Sequence, residues 1–450
     1  MRVSKRWMVL AAILLVLLLV GGDYWRRLRE RAEFHSRAAR TVELKAETPR
    51  RRPLLGTHFI FADPPQETIF EMVQPDRQAE LAGALREAGI EDLRMSFHGY
   101  YSHFGTEATA RLKRETKLTN TFPWFPIEIF ISFIQRFHFT TVLGINVEEG
   151  PEAAVDLLER FARAGALNLI TSVELGNEPF LSPRPWHPEE YAEKCAQIIE
   201  RLRPYKVKFA VAVVVGKDRN MPIRLTGDEY CQRILAALDD RLDLHNSDDI
   251  YGAFHIYSRG VTPVVIDQVN SIVRKYSSMK YQITEYNIRL SLKGNPHLTN
   301  AYAREFARKL NRLIINPDID GLWIHAFPFH SLSYWTDGRR ATIIGFQDKK
   351  LQGDDWRPGW HLTPAGRVHK FFQQWAWNGE IVAFLEQGDV QYWAVRTNDG
   401  KTLISIFNDR DTTLEQEIHF QSQRLSVKVG AYSLASFTTT GQLVTQLALP

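Results

Sequence analysis

The stretch ITSVELGNEP, Ile170 to Pro179, decides how the chain is read. Ile170–Leu175 is a short, mostly apolar run of the kind that forms a buried strand. Gly176 stops it, and Asn177, Glu178 and Pro179 follow where the chain must turn. A second stretch, Ile283-Thr284-Glu285-Tyr286-Asn287, again sets an acidic residue at the end of a strand-like run.

Working outward, short apolar runs alternate with amphipathic helical stretches. The expected strands are Leu54–Phe59, Asp92–Phe97, Thr141–Val147, Ile170–Leu175, Val207–Val214, Ile250–Tyr257, Tyr281–Thr284 and Gly321–Phe327. Helices are expected at Pro75–Ala88, Gly150–Ala164, Pro188–Leu202 and Asn300–Ile314, with a closing helix at Thr363–Trp377. Repeated strand–helix units over this length suit an α/β fold of the (β/α)8 TIM-barrel type. A doubly wound sheet is the alternative, but no glycine-rich dinucleotide loop follows the first strand.

Beyond Trp377 the period changes to two, in short runs separated by turn signals such as Gly388-Asp389 and Asn398-Asp399-Gly400. The expected organisation is therefore a signal peptide or membrane anchor over 1–22 and a basic stalk over 23–52. A barrel over 53–378 follows, then a C-terminal antiparallel β-sandwich over 379–450. Thr41 to Glu47 alternates enough to be a strand that joins the sandwich.

Composition narrows the class. The chain has 450 residues, 44% hydrophobic and 24% charged, which suits a folded enzyme. Two cysteines, Cys195 and Cys231, exclude a disulfide scaffold and make no zinc site alone. The net charge of +4 is concentrated at the amino terminus, where residues 23–52 hold ten Lys/Arg against five Asp/Glu. Nucleic acid is not an expected partner. Residues 7–22 are uncharged and apolar behind Arg2, Lys5 and Arg6. Without a clean cleavage site they are expected to anchor the chain in a membrane, with the catalytic domain in the periplasm or exterior; secretion after cleavage is the alternative.

In the strand count Glu178 follows strand four and Glu285 strand seven, across the ring from one another. Barrel active sites lie at the face where the strands end. Two opposed carboxyls there suit cleavage of a glycosidic bond, one as proton donor and one as nucleophile or base. Either glutamate alone could instead be a salt-bridge partner or a ligand for a divalent metal.

Asn177-Glu178-Pro179 after strand four with Glu285 after strand seven resembles the four-seven superfamily (clan A) of retaining barrel glycosidases. Glu-Leu-Gly-Asn-Glu-Pro is similar to heparanase and β-glucuronidase-like members, and Thr-Glu-Tyr-Asn to arabinofuranosidase and endoglucanase branches. The barrel-plus-sandwich layout is similar to β-xylosidase and exopolysaccharide-hydrolase branches. The resemblance implies an O-glycosyl hydrolase acting on a polysaccharide or oligosaccharide through a covalent glycosyl-enzyme, with no cofactor and no catalytic metal. It implies Glu178 as acid/base and Glu285 as nucleophile, Asn177 on the substrate 2-hydroxyl, and Arg94 beside the nucleophile. His255 and Tyr257 on strand six would stand near Glu285, and Trp323 on strand eight would be a sugar platform. His58 and Asn146, by strand position, point to the same face. Trp186, Trp335, Trp356 and Trp360 fall in loops that could line a glycan cleft. A protein that only binds or assembles polysaccharide on the same fold is the competing reading.

Overall fold

The computed structural model describes residues 41–59, 75–95, 127–180, 186–214, 225–256, 263–276, 279–287, 299–327, 333–335 and 360–450. They divide into two compact units, one of Arg50–Ile381 and one of residues 41–49 with Val382–Ala448.

In chain order the strands up to the closing helix are β1 (Thr41–Leu44), β2 (Arg50–Arg51), β3 (Leu54–Phe59), β4 (Asp92–Met95), β5 (Thr140–Ile145) and β6 (Ile170–Leu175). Then come β7 (Phe209–Val213), β8 (Ile250–Ile256), β9 (Lys280–Tyr286), β10 (Ile319–Phe327), β11 (Ser333–Trp335) and β12 (Trp360–Leu362). Strands β3 to β10 close into a barrel in sequence order, with β10 returning to β3. All its pairings are parallel, the arrangement that alternating strands and helices dictate.

The helices owe their places to one apolar face each. Gly150–Arg163 buries Ala154, Leu157, Leu158 and Phe161, spaced three and four apart. Pro188–Leu202 opens on proline with Glu189 and Glu190 in its first turn, complementing the helix dipole. Ile127–Phe137, Gly227–Leu242 and Pro263–Val273 are helices that the sequence pattern had not singled out. Thr363 is a cap, accepting from the Gly366 amide; the helix it opens runs Pro364–Phe371 and ends in a π-helical turn, Phe372–Ala376.

The second unit is a β-sandwich. Its strands are β13 (Gly379–Gln387, shared with the barrel unit at its start), β14 (Val390–Thr397), β15 (Thr402–Asn408), β16 (Leu414–Phe420), β17 (Gln423–Val429), β18 (Ser433–Thr438) and β19 (Leu443–Ala448). One sheet runs β1-β16-β17, and the other runs β19-β18-β15-β14-β13-β2. Val42, Leu44, Ile418 and Leu425 of the first sheet pack with Tyr392, Ile404, Ile406 and Phe437 of the second. β14 with β15, β15 with β18, β18 with β19 and β16 with β17 pair antiparallel, whereas β1 joins β16 in parallel, Val42 facing Ile418.

The expectation of a membrane partner and a membrane-anchored location is corrected. Among the described residues no helix is long and apolar enough to cross a membrane. Residues 7–22, on which that expectation rested, lie outside the described residues.

Candidate active site

Side chains on a strand alternate, so Asp92 and Arg94 of β4 share a face, as do Ser172 and Glu174 of β6. These faces turn into the barrel. Ser172 donates to Gln282 of β9 at 2.9 Å across the interior, and Arg94 meets Glu174 two residues further up.

Arg94 organises the carboxyl ends of the strands. Its Nε and Nη2 donate to the two oxygens of Glu174 at 2.5 and 3.0 Å. Nη1 donates to Glu285 Oε1 at 2.6 Å, and Nη2 also reaches Asn177 Oδ1 at 2.8 Å. A planar five-donor fork can hold this geometry, whereas a lysine ammonium cannot. Burial opposes the guanidinium charge, but Glu174 and Glu285 outweigh it, so the proton is held more tightly than in a free arginine.

Glu285 reaches this network through a bulge. Phe254 of β8 pairs with Ile283 and His255 with Glu285, while on the other side Leu322 and Ile324 of β10 pair with Ile283 and Tyr286. Strand β9 therefore carries one extra residue around Thr284, and a bulge re-aims side chains. Thr284 donates to Glu174 Oε1 at 2.8 Å and Glu285 takes Arg94, so two consecutive residues both serve the interior.

The loop after β6 is bent by its backbone. Gly176 has φ +77° and Glu178 has φ +44°, so Glu178 sits in the left-handed region that favours glycine. The turn is pinned from outside: Tyr191 donates to the Leu175 carbonyl, and accepts from the Ala212 amide at 3.0 Å. Trp186 closes the loop through its amide, 3.2 Å from the Pro179 carbonyl.

The two predicted glutamates converge on His255. Its Nδ1 lies 3.0 Å from Glu178 Oε1 and 3.6 Å from Glu285 Oε2, while Nε2 faces Glu174 Oε1 at 3.8 Å. One oxygen each of Glu178 and Glu285 and one nitrogen of His255 lie within 4.8 Å of one another. His58 Nδ1 approaches Glu285 Oε1 at 3.4 Å, and its ring lies 5.0 Å from that of His325.

Electrostatics follow from this crowding. Burial penalises the Glu285 charge, yet His255, Arg94, His58 and His325 together hold its carboxyl well below the usual range. Glu174 is likewise lowered, by Arg94 and His255 against burial. Burial opposes charge on His255 too, but Glu285 and the bonds to Glu174 and Glu178 lift it to about 9.

Glu178, Glu285, Asn177, Arg94, His255 and His58 are thus brought together. Trp323 is not among them as a platform. It is fully buried lower in the barrel, its indole N–H donating to Asp92 Oδ1 at 2.8 Å. A Cβ on Gly56 would stand 2.2 Å from that indole and one on Gly321 2.3 Å, so the two glycines make the space it fills. Asn146 commits its side-chain oxygen to the Glu148 amide, capping a short 3-10 turn. Trp186 is half-buried, and its carbonyl accepts from Tyr230. Trp335 and Trp360 pair in the β11–β12 ladder. Tyr257 and Trp356 lie outside the described residues. Glu174, Thr284 and His325 belong to the site without having been predicted. The period-two rule was the available signal for Glu174, since it shares a strand face with Ser172.

No protein-family profile matches the chain, and no curated protein matches it in sequence. Solved structures do match in fold. A family 51 α-L-arabinofuranosidase, AbfB from Bifidobacterium longum, superposes with TM-score 0.56 at 15% identity, over 83% of this chain and 86% of that one. The endo-β1,6-glucanase BT3312 gives 0.56 at 12%, covering 87% and 93%. A GH39 β-xylosidase from Caulobacter crescentus gives 0.53 at 12%, covering 86% and 84%. The chain shares its fold with barrel glycosidases of several branches, the same breadth that its two glutamate motifs resemble.

Proposed function

We propose that the protein is a retaining glycoside hydrolase acting on a polysaccharide or oligosaccharide, with Glu178 as acid/base and Glu285 as nucleophile. The observation that carries this reading is the convergence of both carboxyls on one nitrogen, His255 Nδ1, at 3.0 Å from Glu178 Oε1 and 3.6 Å from Glu285 Oε2. So close a pair suits a retaining site, with carboxyl groups about 5–5.5 Å apart, better than an inverting one, which needs roughly 6.5–9.5 Å to admit a water.

Glu285, held ionised by Arg94 and His255, attacks the anomeric carbon. Glu178, on the more open side of the pair, gives its proton to the departing glycosidic oxygen. The product is a glycosyl ester on Glu285 and a carboxylate at Glu178. Water then gives a proton to Glu178, attacks the same carbon and releases Glu285. The negative charge moves from Glu285 to Glu178 and back, and His255 Nδ1 touches both carboxyls. A cation placed there balances either state without moving.

Replacing Glu285 with Gln removes the nucleophile with little change of shape. Hydrolysis of a panel of arabinan, xylan, β-glucan and bacterial polysaccharides should then vanish while glycan binding persists. Continued hydrolysis by Glu285→Gln, or inverted product configuration from the unaltered protein by NMR, would overturn the mechanism.

A further inference from the structure

We propose that Glu178, His255 and Glu285 form a binding site for a divalent transition cation of the Zn2+ class, which excludes substrate when occupied. Three donor atoms, Glu178 Oε1, His255 Nδ1 and Glu285 Oε2, face one another with His255 Nδ1 at 3.0 and 3.6 Å from the two oxygens. Bonds of about 2.0–2.1 Å in tetrahedral geometry place ligand atoms about 3.4 Å apart, so both contacts already have the required size. One imidazole nitrogen with two carboxylate oxygens also suits zinc by donor type, the ion replacing the proton that His255 Nδ1 holds and releasing it to solvent.

The surroundings favour this group over its neighbour. Arg94 occupies Glu285 Oε1 at 2.6 Å, which directs the nearby His58–Glu285–His325 group at an oxygen already engaged, while Oε2 is the one turned to His255. His58 is also almost fully buried, whereas the Glu178 side chain is 29% exposed and opens a route for the ion and its fourth, solvent ligand. On the far side of the ring, Glu174 Oε1 stands 3.8 Å from His255 Nε2. Arg94 Nη2 stands 3.5 Å from the same nitrogen, so the ring is held from behind with Nδ1 turned to the two carboxylates.

The site itself rests on this geometry alone; only its inhibitory consequence rests on the glycosidase reading. Calorimetric titration of the full chain with Zn2+, without substrate, should find one ion bound per chain. Glu178→Gln, Glu285→Gln and His255→Ala should each weaken binding at least about tenfold. His325→Ala should leave it unchanged, and circular dichroism of each variant separates lost binding from lost folding. The proposal is overturned if the unaltered chain binds no Zn2+, if Glu178→Gln, folded, binds as before, or if His325→Ala alone abolishes binding. Binding with this pattern in a protein that hydrolyses no glycan would defeat the glycosidase reading and leave the cation site standing.

Discussion

Replacing Arg94 with Met, alone and together with Glu174→Gln, tests how the site is held together. Arg94 is fully buried and forms charge-assisted bonds to two buried carboxylates. Removing one partner of such a network leaves charge uncompensated in the interior, at a cost of about 3–5 kcal/mol. The loss is unequal between the two. Glu285 keeps two imidazoles, His255 and His58, nearby, whereas both oxygens of Glu174 accept from the Arg94 fork, and without it Glu174 keeps the uncharged Thr284 hydroxyl at 2.8 Å and one imidazole, His255, at 3.8 Å. Most of the cost therefore falls on Glu174, and neutralising it in the double variant should recover about 1–3 kcal/mol. Guanidinium unfolding followed by tryptophan fluorescence reads this as a double variant more stable than Arg94→Met alone. The pH dependence has a definite sign. Both carboxyls are lowered in the folded state, so their stabilisation is present at neutral pH and lost as pH falls through the folded values. The gap between the unaltered protein and Arg94→Met should narrow toward acid. A double variant as unstable as the sum of the single changes would refute the reasoning.

Two further outcomes follow from the same geometry. His255 is raised from 6.5 to about 9, so its contribution is complete below about pH 6.5 and disappears as pH climbs through 9; unfolding across that window should show His255→Gln closing on the unaltered protein. Gly56→Ala would drive a methyl into the Trp323 indole and within 2.8 Å of the Asp92 carbonyl, and should destabilise by about 1–3 kcal/mol or prevent soluble folding, read by the same unfolding assay.

The barrel was legible because its signals are local. Ile170–Leu175 is short, apolar and followed by turn residues, and the structure ends the strand at Leu175. The glutamate positions were legible for the same reason, since a strand end in a barrel points at its mouth. What hid from the sequence depends on how neighbouring strands register. The extra residue that turns Thr284 and Glu285 to the same interior exists only relative to β8 and β10. Trp323 misled because a tryptophan near a strand end looks the same whether it faces substrate or the core; the decisive partners, Gly56 and Asp92, are more than two hundred positions away. The cap that Asn146 makes was hidden for the opposite reason: it is so local, two residues along the chain, that strand position said nothing of it.

The left-handed backbone at Glu178 has a consequence for how this chain can change over generations. A non-glycine residue at φ +44° costs about 1–3 kcal/mol that folding alone does not require. Under selection for stability only, such a position drifts toward glycine or asparagine. Under the proposed mechanism a glutamate there is held by selection for chemistry, and descendants that abandon the reaction should lose this side chain before they lose the well-paired Glu174 four residues earlier.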